Sequence, residues 1–484
     1  MKQLLAIFTG MVLISGCSNN SGFVPQDSPN PWTDDYKEVW DDVSKWGTYN
    51  VHDPCTRKFG DTYYTYCTDV VWFPPKSEID TTKAPKLGKM GVCQIRKSKD
   101  LVHWDFVGWA FDSIPEEAWN YVFPISGKNT ANNIWAPYVL EHNGVFRMYY
   151  CLSTFGKKVS YIGLAESDNP SGPWQPKGCV VKTCDTTAMN AIDPTIVDDP
   201  ETGKQWMIYG SFFGGLYVVE LDKSTGLTKT PGDLGKMIAH RANYQNDNLE
   251  APEVIYNPVN KKYYLFVSYG PLVTTYNVRV CISDKPDGPY IDMFGNDASK
   301  EVNTLPILTA PYRFENHAGW AGLAHCTVFD DGNGNYFMAS QGRLQPDCMR
   351  LNFHIRRLFF RKDGWPVVSP ERYAGEENIE LSENQIYGEY EIISIQDRSI
   401  SEQHDDGQSK DGLKEDEVNK SIKLILNKDN VQAFANNSFN LKFGDEIIND
   451  VKVFIGHDWE NQKTTILFTC IDNHGFSLWG KKIK

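Results

Sequence analysis

The chain has 484 residues and a formal net charge of −14, from 48 Lys and Arg against 62 Asp and Glu. That field disfavours a nucleic-acid or other polyanionic partner and is easier to reconcile with a neutral substrate. Hydrophobic residues make up 41% and aromatic residues 13%. This is the composition of a soluble globular protein of two or three domains, rich in the rings that meet sugar faces.

The N-terminus reads as a targeting segment. Met1-Lys2-Gln3 carries one positive charge, residues 4–14 are mostly apolar, and Ser15-Gly16-Cys17 follows. This is a secretory signal, too short to span a membrane as a mature helix. Ile14-Ser15-Gly16-Cys17 resembles the bacterial lipobox, which implies that residues 1–17 are a lipoprotein signal and that Cys17 is lipidated. The resemblance implies a cell-envelope lipoprotein, periplasmic or at the cell surface, held to the membrane by that anchor alone. Residues 18–31 are rich in Ser, Asn, Pro and Gly and read as a flexible tether.

The other cysteines show no CxxC pair, so a zinc ribbon is not expected. Cys67, Cys151 and Cys281 lie inside strand-like runs and read as small buried hydrophobes. Cys179 and Cys184 are close enough in sequence for a local disulfide, and that alternative stays open.

From residue 32 the chain repeats. Five times an aromatic-rich strand is followed by a second strand segment with turn signals. The first strands are predicted at 63–66, 146–153, 205–211, 263–270 and 336–342. The second segments are predicted at 91–104, 160–174, 214–226, 276–290 and 352–366. His142-Asn143-Gly144 and Asp331-Gly332-Asn333-Gly334 sit where hairpin turns are required. All-β units of about 60 to 80 residues predict a radial array of small sheets, here a five-bladed β-propeller over 32–375. Beyond about 380 the strands are short and alternating, at 390–393, 422–426 and 464–468. A small β-barrel over 376–484 is expected, with 401–420 as a long polar loop and no catalytic constellation.

Three carboxylates share one local grammar. Asp53 and Asp193 each precede a Pro, and Glu250 precedes Ala251-Pro252, each just ahead of a predicted strand. Pro fixes its own φ and biases the preceding residue towards extended backbone, so the acids are expected at the rims of sheets and at one site. Glu253, beyond the Pro, is expected to face elsewhere. The Asp331 to Asn335 run mimics the start of a calcium loop. Tyr336 stands where that loop needs Gly and Gly342 where it needs Glu, so a hairpin turn is expected.

A propeller with Asp-Pro in its first and third blades and Glu-Ala-Pro in its fourth resembles glycoside hydrolase family 43. The likeness tightens to the endo-1,5-α-L-arabinanases at Asn133-Ile134-Trp135-Ala136-Pro137, Ser153-Thr154-Phe155-Gly156, Asn190-Ala191-Ile192-Asp193-Pro194 and Tyr209-Gly210-Ser211-Phe212-Phe213. It holds also at the Glu250 stretch and at Asp363-Gly364-Trp365-Pro366. The resemblance implies inverting hydrolysis of arabinan by a monomer, with Asp53 as general base and Glu250 as general acid. It implies that Asp193 raises the pKa of Glu250 by its like charge and orients it. Trp135, Phe155, Asn190, Ser211 and His52 are the expected substrate contacts. His325 stands where the family places a His that helps hold a hydrated calcium ion, although Ala324, Cys326 and Thr327 depart from the family's string there. Two other readings stay open: an exo-acting α-L-arabinofuranosidase or β-xylosidase, and a lipid-anchored glycan-binding propeller without catalysis.

Overall fold

The structure, a computed structural model, describes residues 41–71, 89–241, 248–300, 303–346, 349–398 and 413–484. The signal, Cys17 and the tether lie outside the described residues, as does most of the expected 401–420 loop.

Four antiparallel sheets follow one another, each a four-stranded meander. The first is β1 (His52–Phe59), β2 (Thr62–Thr68), β3 (Val92–Ser98) and β4 (Asp105–Phe111). A helix that the sequence reading missed, α1 (Glu116–Ser126), leads into the second sheet. That sheet is β5 (Trp135–His142), β6 (Val145–Leu152), β7 (Ser160–Ser167) and β8 (Gln175–Thr183). The third is β9 (Thr195–Asp198), β10 (Gln205–Tyr209), β11 (Leu216–Leu221) and β12 (Lys236–Ala239). The fourth is β13 (Leu249–Asn257), β14 (Lys262–Tyr269), β15 (Asn277–Ser283) and β16 (Ile307–Thr309). Turn chemistry sets the meanders. His142 pairs with Val145 around Asn143 and Gly144, whose φ values of 53° and 80° make the mirror-image turn that suits a strand's twist.

The predicted fifth blade does not stand alone. β17 (Tyr312–Arg313), β18 (Trp320–Ala321), β19 (Thr327–Asp330), β20 (Tyr336–Leu344), β21 (Leu351–Phe360) and β22 (Pro366–Val368) belong to one seven-stranded sheet. β19 to β22 repeat the meander, but β20 also pairs with β18 along the same edge as β19. The seventh strand, β24 (Asn419–Lys420), pairs in parallel with β17. Part of the segment expected as an exposed loop is therefore a strand, and its Asn419 is buried. The first sheet and the last pack together through Tyr63, Leu101, Trp104, Phe329, Phe337 and Phe353. Residues 48–50 add backbone hydrogen bonds to β21 from Asn50 N to Leu351 O (3.1 Å) and Phe353 N to Thr48 O (2.9 Å). The array is propeller-like, with four separate blades.

The C-terminal region is one antiparallel sheet of seven strands. In order across it these are β25 (Ile422–Leu426), β23 (Gly388–Ile395), β30 (Ser477–Lys482), β29 (Lys463–Ile471), β28 (Glu446–Asp458), β27 (Ser438–Phe443) and β26 (Val431–Ala435). Among the described residues no ladder joins β25 to β26, and Ile422 and Ile425 on the β25 edge stay exposed. This is a half-barrel rather than the closed barrel expected.

One irregularity recurs and positions the site. Asp53, Ala136, Asp193, Ala251 and His325 all have positive φ, between 37° and 56°. Each stands at or just ahead of the first strand of its unit. In β1, β5 and β13 the ladder slips there, between His52 and Cys55, Trp135 and Tyr138, and Glu250 and Glu253. The residue before Pro is thus in the left-handed region, not in the extended backbone expected. A β-bulge leaves one residue outside the ladder, and a following Pro has no N–H to lose there.

Candidate active site

The bulges are capped from the neighbouring unit. Ala136 N–H donates to Thr68 Oγ1 (2.8 Å), Ala251 N–H to Asp193 Oδ2 (3.1 Å), His325 N–H to Ser268 Oγ (2.8 Å) and Asp53 N–H to Gln341 Oε1 (3.1 Å). Each acceptor lies on the unit before, with Gln341 on β20 closing back onto β1. The left-handed residues are therefore held at one level around the axis. The residues before them, among them His52, Trp135 and Glu250, hold equivalent places in their own units.

Asp53 is buried between two imidazoles. His52 Nδ1 lies 2.8 Å from Asp53 Oδ2 and His325 Nδ1 3.0 Å from Asp53 Oδ1, both ion-pair approaches outside hydrogen-bond alignment. Thr68 Oγ1 donates to Asp53 Oδ2 at 2.8 Å. Burial alone would raise this carboxyl, but His325 and His52 hold it well below the usual carboxylate range. Burial likewise opposes a charge on His325, yet Asp53, with Asp193 and Glu250 behind it, pushes that imidazole up to about 9. His52 goes the other way, lowered by burial against the pull of Asp53. Near neutral pH the arrangement is an Asp53 anion paired with a His325 cation.

Glu250 and Asp193 lie on the proton-holding side. Ser211 Oγ donates to Glu250 Oε2 and Tyr276 OH to Glu250 Oε1, each at 2.7 Å. Burial raises the Glu250 carboxyl, its two hydroxyl donors and His325 oppose that, and Asp53 adds to it. Burial also pushes Asp193 up to about 8, with His325 opposing and Glu250 and Asp53 adding. Low-dielectric burial comes first for both acids, and like-charge repulsion between Glu250 and Asp193, with Asp53 beside them, adds to it. Two raised acids facing one depressed acid is the division of labour that acid–base chemistry needs.

The profile of glycosyl hydrolases family 43 matches residues 47–366, and that of a C-terminal lipocalin-like domain matches residues 370–480. The chain belongs to glycosyl hydrolase family 43. An extracellular endo-α-(1→5)-L-arabinanase of Thermotoga petrophila is 28% identical, over 90% of this chain and 94% of that one. A crystal structure of endo-1,5-α-L-arabinanase from Thermotoga petrophila superposes with a TM-score of 0.73 at 27% identity, covering 90% of this chain and 99% of that one. An extracellular exo-α-(1→5)-L-arabinofuranosidase of Cellvibrio japonicus is 29% identical over 66% of this chain and 86% of its own.

Within this family 43 hydrolase the expected site residues divide. Asp53, Asp193, Glu250, His52 and His325 meet through the contacts above. Trp135 heads β5, half-buried, with Nε1 donating to Asn133 Oδ1 at 2.8 Å. Phe155 projects from the loop after β6 and is 53% exposed, as a stacking platform has to be. Two more of the expected substrate contacts also hold their neighbours. Ser211 Oγ donates to Glu250. Asn190 is buried and its Oδ1 accepts from Ser160 Oγ at 2.6 Å, so that oxygen belongs to the scaffold. Tyr276, Thr68, Gln341 and Ser268 escaped the sequence reading. Nothing local marks them, and only strand register could have brought Tyr276 opposite Glu250.

Glu253 does face away from this site, onto Arg57. The Asp331 run is a turn closed on itself, Asp331 Oδ1 accepting Asn333 N–H (2.8 Å) and Asn335 N–H (3.1 Å). Cys179 and Cys184 are both free thiols.

The resemblance implies a hydrated calcium ion near His325, whose Nδ1 faces Asp53; the six to eight oxygen ligands that calcium takes would come largely from water there. Among the described residues the one set of three clustered ligating groups is Glu371, Asp458 and Glu460, and Lys481 Nζ fills its centre. No step below runs through an ion.

Proposed function

We propose that this family 43 enzyme cleaves α-1,5-linked L-arabinofuranosyl chains internally, with inversion. Asp53 takes a proton from water as the water oxygen attacks the anomeric carbon. Glu250 gives its proton to the departing glycosidic oxygen, and the C–O bond breaks as the new one forms. Asp193 accepts the Ala251 N–H beside the acid and shares the proton-holding side with it. The single observation that carries this reading is the opposite pull on the carboxyls, Asp53 down and Glu250 and Asp193 up. The arabinanase relative aligned along nearly its whole length supports the substrate. Phe155, Trp135 and His52 would face the sugars.

The architecture behind this reading is a five-bladed propeller over 32–375, with β19 to β22 as the fifth blade, followed by a second domain over 376–484. The packing and hydrogen bonding between the first and last units support it. The enzyme acts as a monomer, lipidated at Cys17 in the cell envelope. The Thermotoga and Cellvibrio relatives carry the word extracellular in their names. Cys17→Ala should release it to the soluble fraction, and unchanged membrane association would remove the anchor from the reading.

Digestion of linear arabinan tests the main claim. A ladder of oligosaccharides is expected. Arabinose alone would favour the exo-acting reading, which the Cellvibrio relative keeps in view. Glu250→Gln should nearly abolish arabinan hydrolysis yet lose far less on an aryl arabinoside, whose phenolate leaves without protonation. Asp53→Asn should cripple both by ~10²–10⁴-fold. Equal losses of Glu250→Gln on the two substrates would remove Glu250 from the role of acid.

A further inference from the structure

Below the acids the same strands converge on one buried ion pair. Glu253 is 1% exposed, three residues along β13 from Glu250. Its Oε1 accepts from Arg57 Nη2 on β1 (3.0 Å) and from Val328 N–H on β19 (3.1 Å). Its Oε2 accepts from Thr195 Oγ1 on β9 (3.0 Å). Arg57 also lies over the ring of Tyr138 on β5, 4.5 Å from its centroid, and donates to its own strand at Thr56 O (2.9 Å). The innermost strand of every unit therefore meets this pair. Each of those strands carries a site residue a few positions ahead: Asp53, Trp135, Asp193, Glu250 and His325. At ~3.3 Å per residue the pair lies roughly 7–13 Å from the chemistry.

We infer that the Glu253–Arg57 pair positions the three acids by setting the spacing of the inner strands around the axis. This inference rests on the roles proposed above for Asp53, Asp193 and Glu250. Three features favour positioning over stability alone. A buried ion pair can often be replaced by apolar side chains without loss of stability, so stability does not require one here. A carboxylate with two oxygens and a forked guanidinium fix directions that an apolar plug would leave free. Beyond the pair, a cavity of about 600 Å³ lined by Arg57, Tyr138, Ile196, Val254, Val328 and Phe329 opens at the far ends of the same strands. No close packing on that side takes over the spacing.

The test separates folding from geometry. Glu253→Gln leaves the Arg57 charge buried without its counter-charge and should lower both Tm and kcat. The double variant Arg57→Met/Glu253→Met removes both charges and should regain most of the Tm. Its kcat on linear arabinan should stay ~10–100-fold below wild type with KM within about threefold, because misplacement of about 1 Å can cost ~10²-fold in rate. Thr195→Val removes one arm and keeps the ion pair. It should lower kcat by roughly threefold to tenfold on the same logic, with Tm held within about 2 °C. The positioning role is overturned if the double variant regains kcat together with Tm, or if Thr195→Val folds and turns over at the wild-type rate. Glu250→Gln is assayed beside them. If it hydrolyses arabinan normally, the catalytic reading falls and the inference with it. If it is inactive while the folded Glu253 and Thr195 variants keep wild-type kcat, only the positioning role falls.

Discussion

Asp53 shows how a carboxylate can stay ionised while buried 8% exposed beside two other acids. Desolvation favours its protonated form, and the His325 cation and His52 together outweigh it. The sign of a test follows. His325→Gln removes that cation, so the Asp53 pKa rises. A base works only when deprotonated, so the acidic limb of the kcat/KM profile should move to higher pH. The same cation lowers Asp193 and Glu250, so its loss raises them as well and the alkaline limb should also move to higher pH. That limb reflects the coupled acids Asp193 and Glu250, with Asp193 pushed up to about 8. An unchanged acidic limb in a folded His325→Gln protein would remove the imidazolium from this role. The sequence exposed the three acids because Pro follows each of them closely. It exposed nothing of Tyr276, just ahead of β15, or of Thr68 on β2, which are unmarked until the fold brings them to an acid.

At the scale of the element, the bulge does the work that the Pro rule had assigned to an extended strand. Turning Asp53 and the residue after Glu250 to positive φ takes them out of their ladders and leaves their backbone N–H groups for a partner on the unit before. The segment after β10 has a matching constraint. Gly210 has φ of 133°, donates its N–H to Ile192 O (2.9 Å), and would put a Cβ 2.4 Å from Gly215 O. Gly210→Ala should therefore cost roughly 1–3 kcal/mol in stability. Ser211 follows directly and holds Glu250, so kcat should fall by about tenfold for a displaced acid. Chemical denaturation and steady-state rates measure the two effects. Wild-type kcat in that variant would show that Ser211 is held from elsewhere.

At the scale of the molecule, the half-barrel is joined to the propeller by a buried charge cluster. Lys481 on β30 lies 3.0 Å from Glu371, just past the propeller's last strand, and 2.9 Å from Asp458 on β28, with Glu460 also in contact. Lys481 is fully buried and these acids nearly so. Lys481→Met leaves carboxylates buried without their cation and should destabilise the protein by ~3–5 kcal/mol. Calorimetry should show propeller and half-barrel affected together, since the cluster draws on both. A lowered transition for one part beside an unshifted one for the other would show that the cluster does not couple them. The parallel pairing of β24 with β17 is a second tie between the two.

The repeat, the all-β class and the order of the three acids could all be read from the amino acids. Each is written in local chemistry: strand-forming aromatics at regular spacing, turn residues between them, and Pro beside each acid. What the acids do could not be read that way. Asp53, Asp193 and Glu250 look alike in sequence, and only the surroundings that long-range folding assembles pull one of them down and push the others up. Ser211 and Asn190 are expected at the sugar because their strings match, and only the fold shows that they also bond Glu250 and Ser160 from other strands. The fusion of the last blade with β17, β18 and β24 had no local sign either. Strand pairing depends on which edges are left open, and a pKa depends on burial and charge at a few ångströms; both are set in three dimensions by residues far apart in the chain.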